Sequence, residues 1–197
     1  MDSNNENIIK ERSKDGRFIC YDEQIGRGAY KDVFKGFDTM EGKVIAWNSV
    51  SIVSFNEKDT ESLKNEIKHL HQFNNKCEYI VNFYASWYEP FQKRVIMITE
   101  IALSGTLKNY INQMKEIKLK AFKKWCNQLM VAIEFLHSRK IIHRDIKCDN
   151  IFINGNTGNI LLGDFGLSLT RKGTEVNSVV GTPEFMAPEM YEGKYSD

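Results

Sequence analysis

The stretch His143-Arg144-Asp145-Ile146-Lys147-Cys148-Asp149-Asn150 decides how the rest of the chain is read. Asp145 can accept a proton from a hydroxyl. Lys147, two residues on, can set an ammonium beside a transferring phosphoryl group, and Asn150, five residues after Asp145, can offer an amide oxygen to Mg²⁺. A polar surface loop is also compatible with these residue types, so the flanking sequence has to discriminate.

Downstream, residues 151–153 and 159–162 read as two short strands around a turn at 154–158, a hairpin. Asp164-Phe165-Gly166 follows at once: a carboxylate at a strand end is placed to hold a metal, and glycine lets the chain turn away. Ala187-Pro188-Glu189 ends 25 residues beyond Asp164, with Ser178-Val179-Val180-Gly181-Thr182-Pro183 between them. This order and spacing makes coincidence a poor explanation.

Upstream, residues 117–138 predict a long helix. Leu119, Phe122, Cys126, Leu129, Ile133 and Leu136 step by three and four, a stripe expected to be buried. Ser104-Gly105 opens a short helix over 106–113. Residues 80–88 and 94–99 have strand texture, and 56–73 reads as a helix with Leu63, Ile67 and Leu70 on one side and Glu66 beside them. Nearer the start, 18–25, 33–37 and 43–47 read as strands around Gly26-Arg27-Gly28, while residues 1–17 look like a loose, flexible leader. A glycine pair after a strand fits any tight turn; it also fits a loop that lowers backbone N–H groups onto phosphates. A dinucleotide fold would place a helix next, whereas 33–37 reads as strand. Strands with one helix, followed mainly by helices, make an α+β protein of two lobes, the first β-rich and the second α-rich.

Composition bounds the partners. With 27 Lys plus Arg against 26 Asp plus Glu, the net charge of +1 excludes nucleic-acid binding driven by bulk charge. No apolar run approaches the ~18 residues of a membrane helix, and residues 1–17 carry no secretory h-region. The four cysteines form no C-x-x-C pair and read as free thiols of a reducing compartment, so the expected location is cytoplasmic.

From Phe18 onward these motifs resemble a eukaryotic protein kinase. The resemblance implies a two-lobed fold with a complete β-rich N-lobe over about 18–99, a hinge at 100–103, and a C-lobe from 104 that is incomplete because the helices expected after Ala187-Pro188-Glu189 do not occur in these 197 residues. It implies ATP and Mg²⁺ as cofactors. Ile25, Gly26, Gly28, Val33 and Ala46 would line the nucleotide, Thr99 would be the gatekeeper, and Glu100 and Ala102 would hold adenine. Glu66 would sit on the lobe-joining helix, Asp145 would be the catalytic base, and Asn150 and Asp164 would bind magnesium.

One departure points to a subfamily. The third strand reads Val44-Ile45-Ala46-Trp47-Asn48, with Asn48 where the phosphate-gripping lysine is usual, and an amide cannot supply that charge. Gly26-Arg27-Gly28-Ala29-Tyr30-Lys31 has Lys31 where a third glycine is usual. This resembles the with-no-lysine (WNK) Ser/Thr kinases, in which a lysine of the neighbouring strand reaches the phosphates. Lys147 and Gly181-Thr182-Pro183 favour Ser/Thr acceptors. The resemblance also implies phosphorylation at Ser178, with Thr174 as a secondary site, and a protein substrate that includes a downstream kinase. Chloride sensing belongs to the same subfamily, but Phe165 stands where its leucine is expected and would fill the anion cavity. Two other readings stay open: a kinase-like module that binds nucleotide or a kinase without turnover, and a nucleotide-binding protein of another class.

Overall fold

The computed structural model describes residues 8–28, 31–57, 60, 63, 67, 75–139, 141–164, 182–188 and 191. The chain divides into two compact units, residues 1–55 with 82–101, and residues 56–81 with 102–197. One dividing point falls at Ile101, inside the span read as a hinge, but residues 56–81 group with the second unit rather than with the lobe expected over 18–99.

The first unit is a six-stranded antiparallel sheet of β1 (Ile9–Arg12), β2 (Phe18–Arg27), β3 (Lys31–Asp38), β4 (Lys43–Ser51), β5 (Phe83–Glu89) and β6 (Arg94–Glu100). Its spatial order is β1-β2-β3-β4-β6-β5. Residues paired across neighbouring strands share a face. Phe34 pairs with Trp47, and Trp47 with Ile98, so one face gathers Phe18, Cys20, Phe34, Ile45, Trp47, Ile96 and Ile98 into the core. Burial there pushes the Cys20 thiol up to about 12. Gly36 permits the close packing: a Cβ would come within 2.4 Å of Ile45 and 2.6 Å of the Ile19 carbonyl.

The sheet curls on itself. β1 and β5 are at opposite ends of the strand order, yet Arg94 of β6 bridges Glu11 of β1 and Glu89 of β5. Phe18 also stacks on Trp87 with ring centroids 6.4 Å apart. Part of the expected leader is therefore a strand. Ile9–Arg12 has no apolar alternation to announce it; pairing with Ile19–Tyr21 and the Glu11–Arg94 ion pair hold it in the sheet. The β3–β4 turn is organised by Asp38, which accepts hydrogen bonds from the Met40 and Glu41 amides and pairs with Arg17 at 2.7 Å. The Arg17 guanidinium lowers the Asp38 pKa.

In the second unit, helical backbone is described at Glu57, Thr60, Leu63 and Ile67, with Leu63 and Ile67 buried. There follow helix α1 (Leu107–Gln113), helix α2 (Leu119–His137) and the hairpin of β7 (Ile151–Asn154) and β8 (Asn159–Leu162). Thr106 caps α1 by accepting from the Asn109 amide, 3.2 Å. The hairpin turn closes on the Asn154 side chain and on Gly158 at φ 63°.

α2 buries the C-terminal half of the expected stripe, with Leu136 in the core and Leu129 and Ile133 packed against it, but not the N-terminal half. Trp125, Gln128, Ala132 and Leu136 are its buried residues, whereas Leu119 and Phe122 are 65% and 54% exposed and Cys126 is exposed. The cause is polar. The Gln128 side chain donates to the Asn159 side chain (2.9 Å) and accepts from the Ile160 amide (3.1 Å), while the Trp125 indole donates to the Gly158 carbonyl. Pairing with the hairpin turns a mixed-polarity stripe inward. Hydropathy alone ranks that stripe below the apolar one.

The four cysteines are not paired with one another. Among the described residues, no helix is long and apolar enough to cross a membrane.

Candidate functional site

In the second unit the 143–150 segment folds around one carboxylate. Asp145, 7% exposed, receives Asn150 Nδ2 on Oδ2 at 2.7 Å and the Thr182 hydroxyl on Oδ1 at 2.8 Å, with Lys147 Nζ 3.0 Å from Oδ2. Lys147 also donates to Thr182 Oγ1 at 2.6 Å. Burial would raise the Asp145 pKa, but the bonds from Lys147, Thr182 and Asn150 outweigh it and hold the carboxyl below its ordinary value. The group therefore stays ionised at neutral pH.

The segment is pinned from below. His143 is buried, and its Nε2 lies 2.9 Å from the Gly163 carbonyl. That oxygen can only accept, so Nε2 carries the proton and Nδ1 can accept from the Asp145 amide at 3.4 Å. Burial lowers the His143 pKa and favours this neutral tautomer. Arg144 and Asp164 hold left-handed φ of 68° and 61°, costly for non-glycine residues and concentrated where chemistry needs an exact side-chain direction.

The oxygen donors fit a hard divalent cation. Asn150 spends its Nδ2 on the backbone carbonyl and side chain of Asp145 (2.7 Å each), which leaves Oδ1 as its acceptor end. The Gly163 amide donates to the Asn150 carbonyl at 3.0 Å and thereby ties Asn150 to the residue before Asp164. Among the described residues no cluster of three or more His, Cys, Asp or Glu could hold a metal. A pair of oxygen ligands completed by water and phosphate is what Mg²⁺ accepts.

Several candidates of the first unit lie on the sheet face opposite the core. Gly26 pairs with Val33, Val33 with Asn48, Lys31 with Val50 and Ala46 with Thr99. Lys31, Val33, Ala46, Asn48 and Thr99 thus share one face, and Lys31 is two residues along β3 from the partner of Asn48. The Gly28 amide donates to the Lys31 carbonyl at 2.6 Å and closes the turn at that point. Ile25 lies on β2 and is partly exposed. The Glu100 side chain is held by the Asn82 amide and side chain (3.2 and 2.9 Å), and the Ala102 carbonyl accepts from the Gly105 amide.

Glu66, Phe165, Thr174 and Ser178 lie outside the described residues. Two residues join the site without having been singled out as members of it: Thr182, which bridges Asp145 and Lys147, and His143. The Gly181-Thr182-Pro183 motif pointed at Thr182; nothing in the sequence showed which oxygens it would join.

The protein kinase domain family matches residues 20–197, so the chain belongs to the protein kinase family. Its relatives include the Ser/Thr kinase WNK of Caenorhabditis elegans, 42% identical over 95% of this chain and 10% of that protein, and WNK8 of Arabidopsis thaliana, 42% identical over 95% of this chain and 34% of that protein. The chain is thus a WNK-like Ser/Thr kinase sequence that spans about a third or less of these two relatives. Among solved structures, Rad53 1-466 in complex with AMP-PNP matches with a TM-score of 0.71 and 26% identity, covering 90% of this chain and 43% of that one.

Proposed function

We propose that the chain transfers a phosphoryl group from ATP to Ser or Thr hydroxyls of proteins, with Lys31 in place of the third-strand lysine. The observation that carries this reading is the Asp145 network: an ionised carboxylate held by Asn150, Thr182 and Lys147. Asp145 orients the acceptor hydroxyl and takes its proton. Lys147 offsets charge on the phosphoryl oxygens, and Thr182 holds both side chains in register. Asn150 and Asp164 would hold Mg²⁺, which would supply charge neutralisation at the phosphates.

On the sheet face, Gly26, Gly28, Ile25, Val33 and Ala46 cover the nucleotide, Thr99 borders the base, and Glu100 and Ala102 hold adenine. Lys31 brings its ammonium to the phosphates from the same face that Asn48 occupies. Glu66 belongs to the catalytic set, and Ser178, then Thr174, receive activating phosphate. The protein acceptor includes a second kinase, and the reaction runs in the cytoplasm.

Incubation with Mg-ATP followed by mass spectrometry tests the reading. Phosphate at Ser178 or on an added protein is the expected result. Binding of Mg-ATP with Ser178 unmodified would favour the alternative, a nucleotide-binding module without turnover.

A further inference from the structure

Asn48 does more than leave a lysine out. It is 5% exposed, and its Nδ2 lies 3.0 Å from the Met97 carbonyl, 3.1 Å from Thr99 Oγ1 and 3.3 Å from the Ala46 carbonyl. An amide nitrogen has two hydrogens, so three acceptors at these distances share its whole donor capacity. Two of the three belong to β6. The register explains the reach: Asn48 pairs with Met97 and Ala46 with Thr99, which makes Thr99 the diagonal neighbour of Asn48 on the same face.

We infer that Asn48 is a positioning residue: its carboxamide tethers the Thr99 hydroxyl and the Met97 carbonyl, and so holds the gatekeeper in one rotamer at the base-binding edge of the sheet. A threonine in a strand can exchange its hydroxyl and methyl between staggered positions with little change in size. Once Oγ1 accepts from Asn48, its place is set, the methyl is set with it, and the hydroxyl hydrogen is directed elsewhere. The nucleobase then meets one fixed surface. A lysine at position 48 would take its charge to the phosphates and leave Thr99 to other partners. Moving the cation to Lys31 releases position 48 for the tether, so the two replacements belong together.

This rests on the reading of Thr99 as bordering the base, and the test separates the two claims. Fluorescent-ATP displacement gives the Kd for Mg-ATP of the wild-type chain, Thr99→Val, Thr99→Ser, Asn48→Leu and the Asn48→Leu/Thr99→Val double variant. Valine keeps the size and removes the oxygen; serine keeps the oxygen. One hydrogen bond of ordinary net strength corresponds to about fivefold. Thr99→Val and Asn48→Leu are each expected to weaken binding about fivefold, the double variant no further than either single, and Thr99→Ser to retain wild-type affinity.

Hydrogen exchange of the Asn48 carboxamide protons in the nucleotide-free chain reads the tether itself. Protection should fall in Thr99→Val, where only the Met97 and Ala46 carbonyls remain as acceptors, and be kept in Thr99→Ser. Full additivity, or Thr99→Ser as weak as Thr99→Val, overturns the positioning role. Exchange in Thr99→Val as slow as in the wild type overturns the tether. A wild-type chain that shows the protection but binds no Mg-ATP overturns the site reading on which the role depends. Should Asn48→Leu fail to fold, the Thr99 pair decides alone.

Discussion

The two units hold their polar chemistry in opposite ways. Around Asp145 the side chains are tied to one another: both carboxylate oxygens, Asn150 Nδ2, the Lys147 ammonium and the Thr182 hydroxyl meet within 3.0 Å. On the face of the six-stranded sheet, by contrast, the candidates are spread over β2, β3, β4 and β6 and share only a side of the pleat. An interlocked network cannot lose one member without stranding the others, whereas a sheet face can move a charge to a neighbouring strand and still present it on the same side.

The contrast can be broken most decisively at Asp145. Asp145→Ala is expected to lower kcat by about 10³-fold, within the range of a lost acid–base group, as read by radiolabelled phosphate transfer. A residual rate within tenfold of wild type would remove Asp145 from the chemistry. Lys31→Met should cost about 10²-fold in kcat/KM, whereas Asn48→Ala should cost no more than the about fivefold of its lost tether; equal and small effects of the two would sink the relocated cation.

Gln128→Leu removes the buried partner of Asn159 and Ile160 and should destabilise the chain by about 2 kcal/mol, the usual cost of stranding such groups. Urea denaturation reads this, and an unchanged midpoint would mean the hairpin is held by apolar contact alone.

Thr182→Val should have the smallest effect, roughly tenfold in kcat, and a pH signature distinguishes it. Asp145 is held below its ordinary 3.8. The activity and stability of its ionised form therefore persist above that value and are lost as pH falls through the lowered one. Removing the Thr182 donor lets the carboxyl rise, so the acid limb of kcat/KM should move to higher pH. A limb that stays in place would make the Thr182 bond inconsequential.

Much of this was legible before any coordinates. The glycine pair, the short β-rich runs and the spacing from Asp145 to Glu189 carry backbone and chemical requirements in the residue types themselves. What escaped depended on partners distant in sequence. Ile9–Arg12 is a strand because Arg94 lies 83 residues away from Glu11 to meet it. The burial of Gln128 on α2 follows from its finding Asn159, which hydropathy does not encode. Asn48 read as a missing charge; its bond to Thr99 emerges only when β4 and β6 are laid side by side. In each case a polar side chain took an interior or edge role that a pattern of apolar residues does not encode.

The bridge from Arg94 to Glu11 has a practical corollary for anyone trimming this protein. The family match begins at residue 20, and a cut made there would discard Ile9–Arg12 as dispensable. It would also bare the outer rim of β2, a row of amide and carbonyl groups ready to pair with another molecule. Material shortened in that way should self-associate, and its insolubility would be an artefact of where the knife fell.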